Sequence, residues 1–171
     1  MDNKSHDYTV VRLDHDPHSG WNILTPILVQ KSATKAAEAV NLSAAPDDTG
    51  DVAFEHLKSG AIISLNSVCH EYHNTSLEEL SKYLLLGLNT HGAVTTRDIE
   101  VDGAKALESS VDAAVNERHL SGETQEYPVR VRAVVLRKSG CTFDLLYIAR
   151  PNVFNELLPN FDRFLRGFHA Q

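Results

Sequence analysis

VRVRAVVLRKSGCTFDLLYIARP, residues 129–151, decides the fold. Val129, Val131, Ala133 and Val135 alternate with Arg130 and Arg132, the two-residue period of a strand with one buried face. Lys138-Ser139-Gly140 supplies a turn, because glycine tolerates a positive φ. Cys141–Ala149 returns as a second apolar strand, and Pro151 stops it. Strands joined by a tight turn run antiparallel, so the chain is built around an antiparallel hairpin.

Working outward, the same signals recur. Thr96–Val101 reads as a strand ending in Asp102-Gly103, a hairpin signal, and Leu107, Ser109, Val111, Ala113 and Val115 alternate with Glu108, Ser110 and Asp112. NERHLSGETQEY, residues 116–127, reads as a polar loop. Further back, DVAFEHLKSGAIISLNSVC, residues 51–69, is a second hairpin turning at Lys58-Ser59-Gly60. The two KSG triplets are repeated turn chemistry, not a sequence repeat. Leu77–Asn89 is the clearest helix: Leu77, Leu80, Leu84 and Leu88 fall at helical spacing, with Tyr83, Leu85 and Leu86 widening the face. Ser76 and Glu79 have capping-box spacing at its start.

At the C-terminus Phe154, Leu157, Leu158, Phe161, Leu165 and Phe168 share a helical face, and Pro159 predicts a kink or two short helices. At the N-terminus Tyr8–Leu13 reads as a short strand, and Trp21–Gln30, interrupted by Pro26, as an edge strand or two extended pieces. Residues 32–45 have helix-forming composition without a strong apolar face, and 46–51 read as a loop. Together these segments predict an α+β fold in which helices pack on a mostly antiparallel sheet.

The chain of 171 residues suits one domain, with residues 1–7 expected to be disordered. A net charge of −7 argues against a nucleic-acid partner. The densest basic group, Arg130, Arg132, Arg137 and Lys138, is expected to be solvated along one hairpin. The apolar run near Tyr83–Leu88 falls far short of the roughly 20 residues that span a bilayer, and MDNKSHDYTV lacks the apolar core of a signal peptide. No dinucleotide fingerprint, P-loop or nucleophile elbow occurs, so no cofactor and no catalytic residue is assigned.

Cys69 and Cys141 are the two cysteines. A nucleophilic Cys141 needs a partner that lowers its pKa, and no His or Asn can be assigned to it. Cys141 shares parity with Phe143, Leu145 and Tyr147, and Cys69 with Ile63 and Leu65, so both read as small inward-facing residues or as halves of a disulfide. If the two strands are antiparallel neighbours, the cysteines lie beside each other. If they are parallel, about 3.3 Å per residue separates them by about 25 Å, beyond bonding reach. Cys69, His70, Glu71 and His73 carry zinc-ligand chemistry, but no second ligand cluster follows, and a solvated loop is the expectation. Asp14, Asp16, Asp47, Asp48 and Asp51 are expected in solvated loops. Asp144 opposes Phe143 and Leu145 in parity, so it is expected to face solvent or to accept a bond from Arg132. Trp21 is expected in the core.

Three stretches, DVAFEHLKSGAIISLNSVC with the helix after it, TTRDIEVDGAKALESSVDA, and GCTFDLLYIARPNVFNELLPNFDRFLRGF, resemble the Mog1/PsbP-like fold. They cover about residues 51–168, and residues 1–45 depart from the fold's usual opening strands. More closely, the chain resembles small bacterial members of that type, often lipoproteins. The resemblance implies an α-β-α sandwich around a central antiparallel sheet. It also implies a non-enzymatic binding or assembly role, since eukaryotic members bind a small GTPase or the photosynthetic oxygen-evolving complex. No binding residue carries over by position. The function expected is an accessory or protein-binding domain with a protein partner, held at the cell envelope by a lipid anchor outside this sequence, or cytoplasmic if the lipoprotein resemblance fails. The alternative is a small-ligand carrier with an apolar pocket between the sheet and helix 77–89.

Overall fold

The structure, a computed structural model, describes residues 4–5, 7–24, 51–86, 88–118 and 120–171. Residues 32–45, with their helix-forming composition, the loop over 46–50 and the Trp21–Gln30 segment beyond Leu24 lie outside the described residues. The described chain forms β1 (Tyr8–Thr9), β2 (Trp21–Leu24), β3 (Val52–His56), β4 (Ile62–Cys69), α1 (Leu77–Leu85), β5 (Asn89–Val101), β6 (Ala104–Arg118), β7 (Thr124–Lys138), β8 (Cys141–Ala149), α2 (Pro151–Arg166) and β9 (His169–Ala170).

Seven strands make one antiparallel sheet in the order β2-β3-β4-β8-β7-β6-β5, and β1 pairs with β9 beside it. The three expected hairpins are present. The join that closes the sheet is β4 on β8, a pairing distant in sequence.

Each face carries a helix, which gives the α-β-α sandwich. α2 lies over β8 and β7 and brings Phe154, Leu157, Phe161 and Phe164 against Phe143, Leu145, Tyr147, Ile63 and Leu65. Tyr147 is wholly buried, stacked between Phe154 and Phe161 at 4.6 and 5.4 Å, and its hydroxyl donates to the Phe154 carbonyl at 2.7 Å. Trp21, 4% exposed, belongs to this core, and β2 is an edge strand as expected. α1 covers the other face over β7 and β6, with Leu80, Leu85 and the following Leu88 on Leu107, Val111, Val129 and Val131.

Several boundaries differ from expectation. The helix expected over Leu77–Asn89 ends at Leu85, and Asn89 opens β5. Tyr83 and Leu86 are exposed, so the apolar stripe is narrower than the leucine count suggests. Ser76 caps α1 by accepting from the Glu79 N–H at 3.1 Å. The strand expected over Tyr8–Leu13 is reduced to Tyr8–Thr9. The polar loop expected over 116–127 is mostly strand, because β6 runs to Arg118 and β7 starts at Thr124; backbone pairing needs no apolar side chains. α2 is a single helix with Pro159 inside it, exposed on its outer side, while the aromatic face holds the helix to the sheet. Among residues 1–7, Lys4 donates to Asn66 and the Ser5 N–H to Ser67, so this part of the segment is seated on β4.

Candidate functional site

The antiparallel order divides the molecule into two ends. One end gathers the end of β4, the β5–β6 and β7–β8 turns, β1 and β9. Here Cys69 and Cys141 stand directly opposite in the β4–β8 ladder, and the structure joins their sulfurs in a disulfide. Cys69 therefore has no free thiolate for a metal ion, and no group of three candidate ligands occurs among the described residues. Asp102, at φ 50 in the β5–β6 turn, receives Lys138 Nζ at 2.6 Å and the Ala170 N–H at 2.8 Å, with His169 Nδ1 at 2.9 Å. The Lys138 ammonium first, then the Ala170 N–H and His169, hold its carboxyl far below the usual carboxylate range.

Asp51 was expected in a solvated loop and is instead buried, its side chain 6% exposed. Tyr8 donates to it at 3.1 Å, the Ser67 hydroxyl donates to it, and Lys4 Nζ lies 3.4 Å away. Burial, then the Asp51 charge, raises the Tyr8 pKa. Arg130, Arg132, Arg137 and Lys138 stay half-exposed, and each has a partner: Arg130 pairs with Asp112 at 3.0 Å, Arg132 lies 3.7 Å from Glu108, Arg137 donates to the Tyr72 carbonyl at 2.6 Å, and Lys138 holds Asp102. Arg132 cannot bond to Asp144, because register places Arg132 opposite Tyr147 on the α2 face and Asp144 opposite Val135 on the α1 face.

The other end is open. β8 stops at Ala149 opposite Arg130, and β5 begins at Asn89 opposite Ala114. Beyond those points β6 and β7 continue alone, pairing Val115 with Tyr127 through to Arg118 with Thr124. This two-stranded ribbon extends the sheet by about 10 Å at strand rise. Pro128 sits at its root, past the end of β8, where one edge of β7 has no partner strand. Leu120 lies at its tip, fully exposed.

Where the ribbon leaves the sheet, a recess of about 140 Å³ opens between it and the β3–β4 turn. Ile62, Val115, Val129 and Ile148 supply apolar lining, with Tyr127 and Arg150 beside them. The Arg150 guanidinium lies 4.5 Å above the Tyr127 ring. Leu57, in the adjoining turn, is also exposed. The recess is on the α1 face, but none of its lining residues comes from α1, so it is not the pocket expected between the sheet and helix 77–89. Its chemistry is apolar contact with one guanidinium at the rim. Sequence reasoning missed this site because polar ribbon residues carry no periodic signal; the one clue in the sequence was Leu120, a lone leucine in the polar stretch 116–127.

No protein-family model matches the chain, and no curated protein does. Among solved structures, cyanobacterial PsbP (CyanoP) from Synechocystis aligns over 96% of this chain and 93% of its own, with a TM-score of 0.53 at 13% identity. A Pseudomonas aeruginosa protein of unknown function aligns over 91% and 92% at 13% identity, and its TM-score of 0.40 carries no argument. The fold is PsbP-like, as the resemblance implied.

Proposed function

We propose that this chain is a non-catalytic accessory domain that docks a protein partner at its open end. The observation that carries the proposal is the projecting β6–β7 ribbon, with a fully exposed Leu120 at its tip and an apolar recess at its root. Exposed apolar side chains and an apolar recess on one end of the sheet suit protein contact. A net charge of −7 weighs against a nucleic-acid partner. The PsbP-like scaffold supports the accessory reading only as a scaffold that an accessory protein uses. The proposal further holds that the domain works at the cell envelope, tethered by a lipid on a residue outside this chain. A disulfide favours such an oxidising place.

Affinity capture from the native host tests the docking reading. Leu120→Asp and Leu57→Asp, both at exposed side chains, should each reduce recovery of a specific interactor about tenfold or more while the thermal midpoint stays put. Thr96→Lys, on β5, is the control and should recover it fully. Equal recovery by all three variants would reject the open end as the docking surface. Fractionation of the native gene product, with and without a palmitate analogue in the medium, tests the tether.

A further inference from the structure

We propose that the Cys69–Cys141 bridge is a redox clasp on the loop of residues 70–75, and that opening it releases this loop while the sheet stays folded. The bridge joins the last residue of β4 to the first of β8 at the end of an eight-pair ladder, Ile62↔Ile148 to Cys69↔Cys141. Backbone pairing already holds these strands together. Past the bridge the loop has no ladder, and its Thr75 N–H donates to the Tyr72 carbonyl at 3.2 Å. His70 donates its N–H to the Gly140 carbonyl at 3.1 Å, and Arg137 donates to the Tyr72 carbonyl at 2.6 Å. Between those contacts both His70 (φ 64) and Tyr72 (φ 60) occupy the left-handed region. Residues with a Cβ enter that region at an energetic cost and stay there only when their surroundings hold them. Among the described contacts, the bridge is the covalent one.

The loop is presented outward: His70, Glu71 and His73 are exposed, and Tyr72 is 46% exposed. It leads directly into Ser76, the cap of α1. Fastened, the loop displays one fixed arrangement of an aromatic ring and two imidazoles. Released, His70 and Tyr72 relax from the left-handed region and the arrangement is lost.

A dithiol reductant opens the clasp by exchange. One of its thiolates attacks the Cys141 sulfur, the more accessible of the two since Cys69 is 5% exposed, forming a mixed disulfide and expelling the Cys69 thiolate. The second thiol of the reductant then displaces Cys141. Two electrons and two protons pass to the protein, giving two cysteine thiols, and the reductant leaves as its own disulfide.

Hydrogen–deuterium exchange at short labelling times tests the clasp, comparing the oxidised protein, the protein reduced with dithiothreitol, and the double variant Cys69→Ser, Cys141→Ser. Peptides covering 70–76 should exchange at least tenfold faster in both bridge-free forms. Peptides from β6 and β7 should remain protected over the same seconds. Unchanged exchange at 70–76 would overturn the proposal, since the loop's other contacts would then suffice. Loss of protection throughout the sheet would also overturn it, because the bridge would be a staple of the whole fold. If the double variant does not fold, the reduced wild-type protein gives the same decision.

Discussion

Asp102 occupies the left-handed region at φ 50, where Asn and Asp are the better-tolerated residues with a Cβ, and its carboxylate gathers Lys138, His169 and the Ala170 N–H. It ties the β5–β6 turn to the end of β7 and to β9. Asp102→Asn keeps the turn and removes the charge, so it should lower unfolding free energy by about 2 kcal/mol near neutral pH. The depressed pKa fixes the sign of the pH effect. The unfolded chain binds a proton at about pH 4, the folded chain only well below that. Stability from this residue is therefore present above about pH 4 and lost as pH falls further. Urea titrations across the acid range should give a flatter slope for the variant, and equal slopes would refute the assignment. Gly167 makes a different residue-scale case. Its φ of −89° is open to any residue, yet a Cβ there would collide with Val11. Gly167→Ala should cost about 1–3 kcal/mol by displacing the N-terminal segment, seen as a lower thermal midpoint. A midpoint within a degree of wild type would show that Val11 moves freely.

At the scale of elements, α2 runs unbroken through Pro159, its aromatic face anchored on the sheet, while Pro159 itself looks outward. The proline still removes a helical hydrogen bond. Pro159→Ala should stabilise the protein, by up to about 3 kcal/mol if no strain has been relieved elsewhere. Circular dichroism melts would show a rise, and a fall would mean that the proline sets a bend the core needs. The face of α2 was legible because Phe154, Leu157 and Phe161 repeat at helical spacing, and the cap of α1 because Ser76 and Glu79 stand three apart. β5 was only half legible. Its first ten residues are exposed on both faces, so no alternation marks them, and only pairing with β6 makes them a strand. The ribbon escaped for the same reason. Asp51 escaped for another: nothing local distinguishes a loop carboxylate that meets Tyr8 and Ser67 across the fold from one that meets water.

At the scale of the molecule, strand parity reduced the disulfide question to one condition, that β4 and β8 be antiparallel neighbours. No local signal could supply that condition, since the pairing joins strands separated by a helix and three strands. The structure supplies it, with Cys69 and Cys141 in register 72 residues apart. A cross-link over such a span restricts the unfolded chain, a contribution of about 4 kcal/mol in the loop-entropy account. Domains of this kind have about 5–15 kcal/mol in total, so loss of the bridge should leave the sheet folded but less stable. Urea unfolding with and without dithiothreitol should show a lower midpoint on reduction and a somewhat steeper slope, because the reduced unfolded chain is freer to expand. An unchanged midpoint would mean that the unfolded chain keeps Cys69 near Cys141 without the bond. Collapse in buffer alone would mean that the eight-pair β4–β8 ladder cannot hold without it, and the sandwich would then depend on an oxidising environment to form.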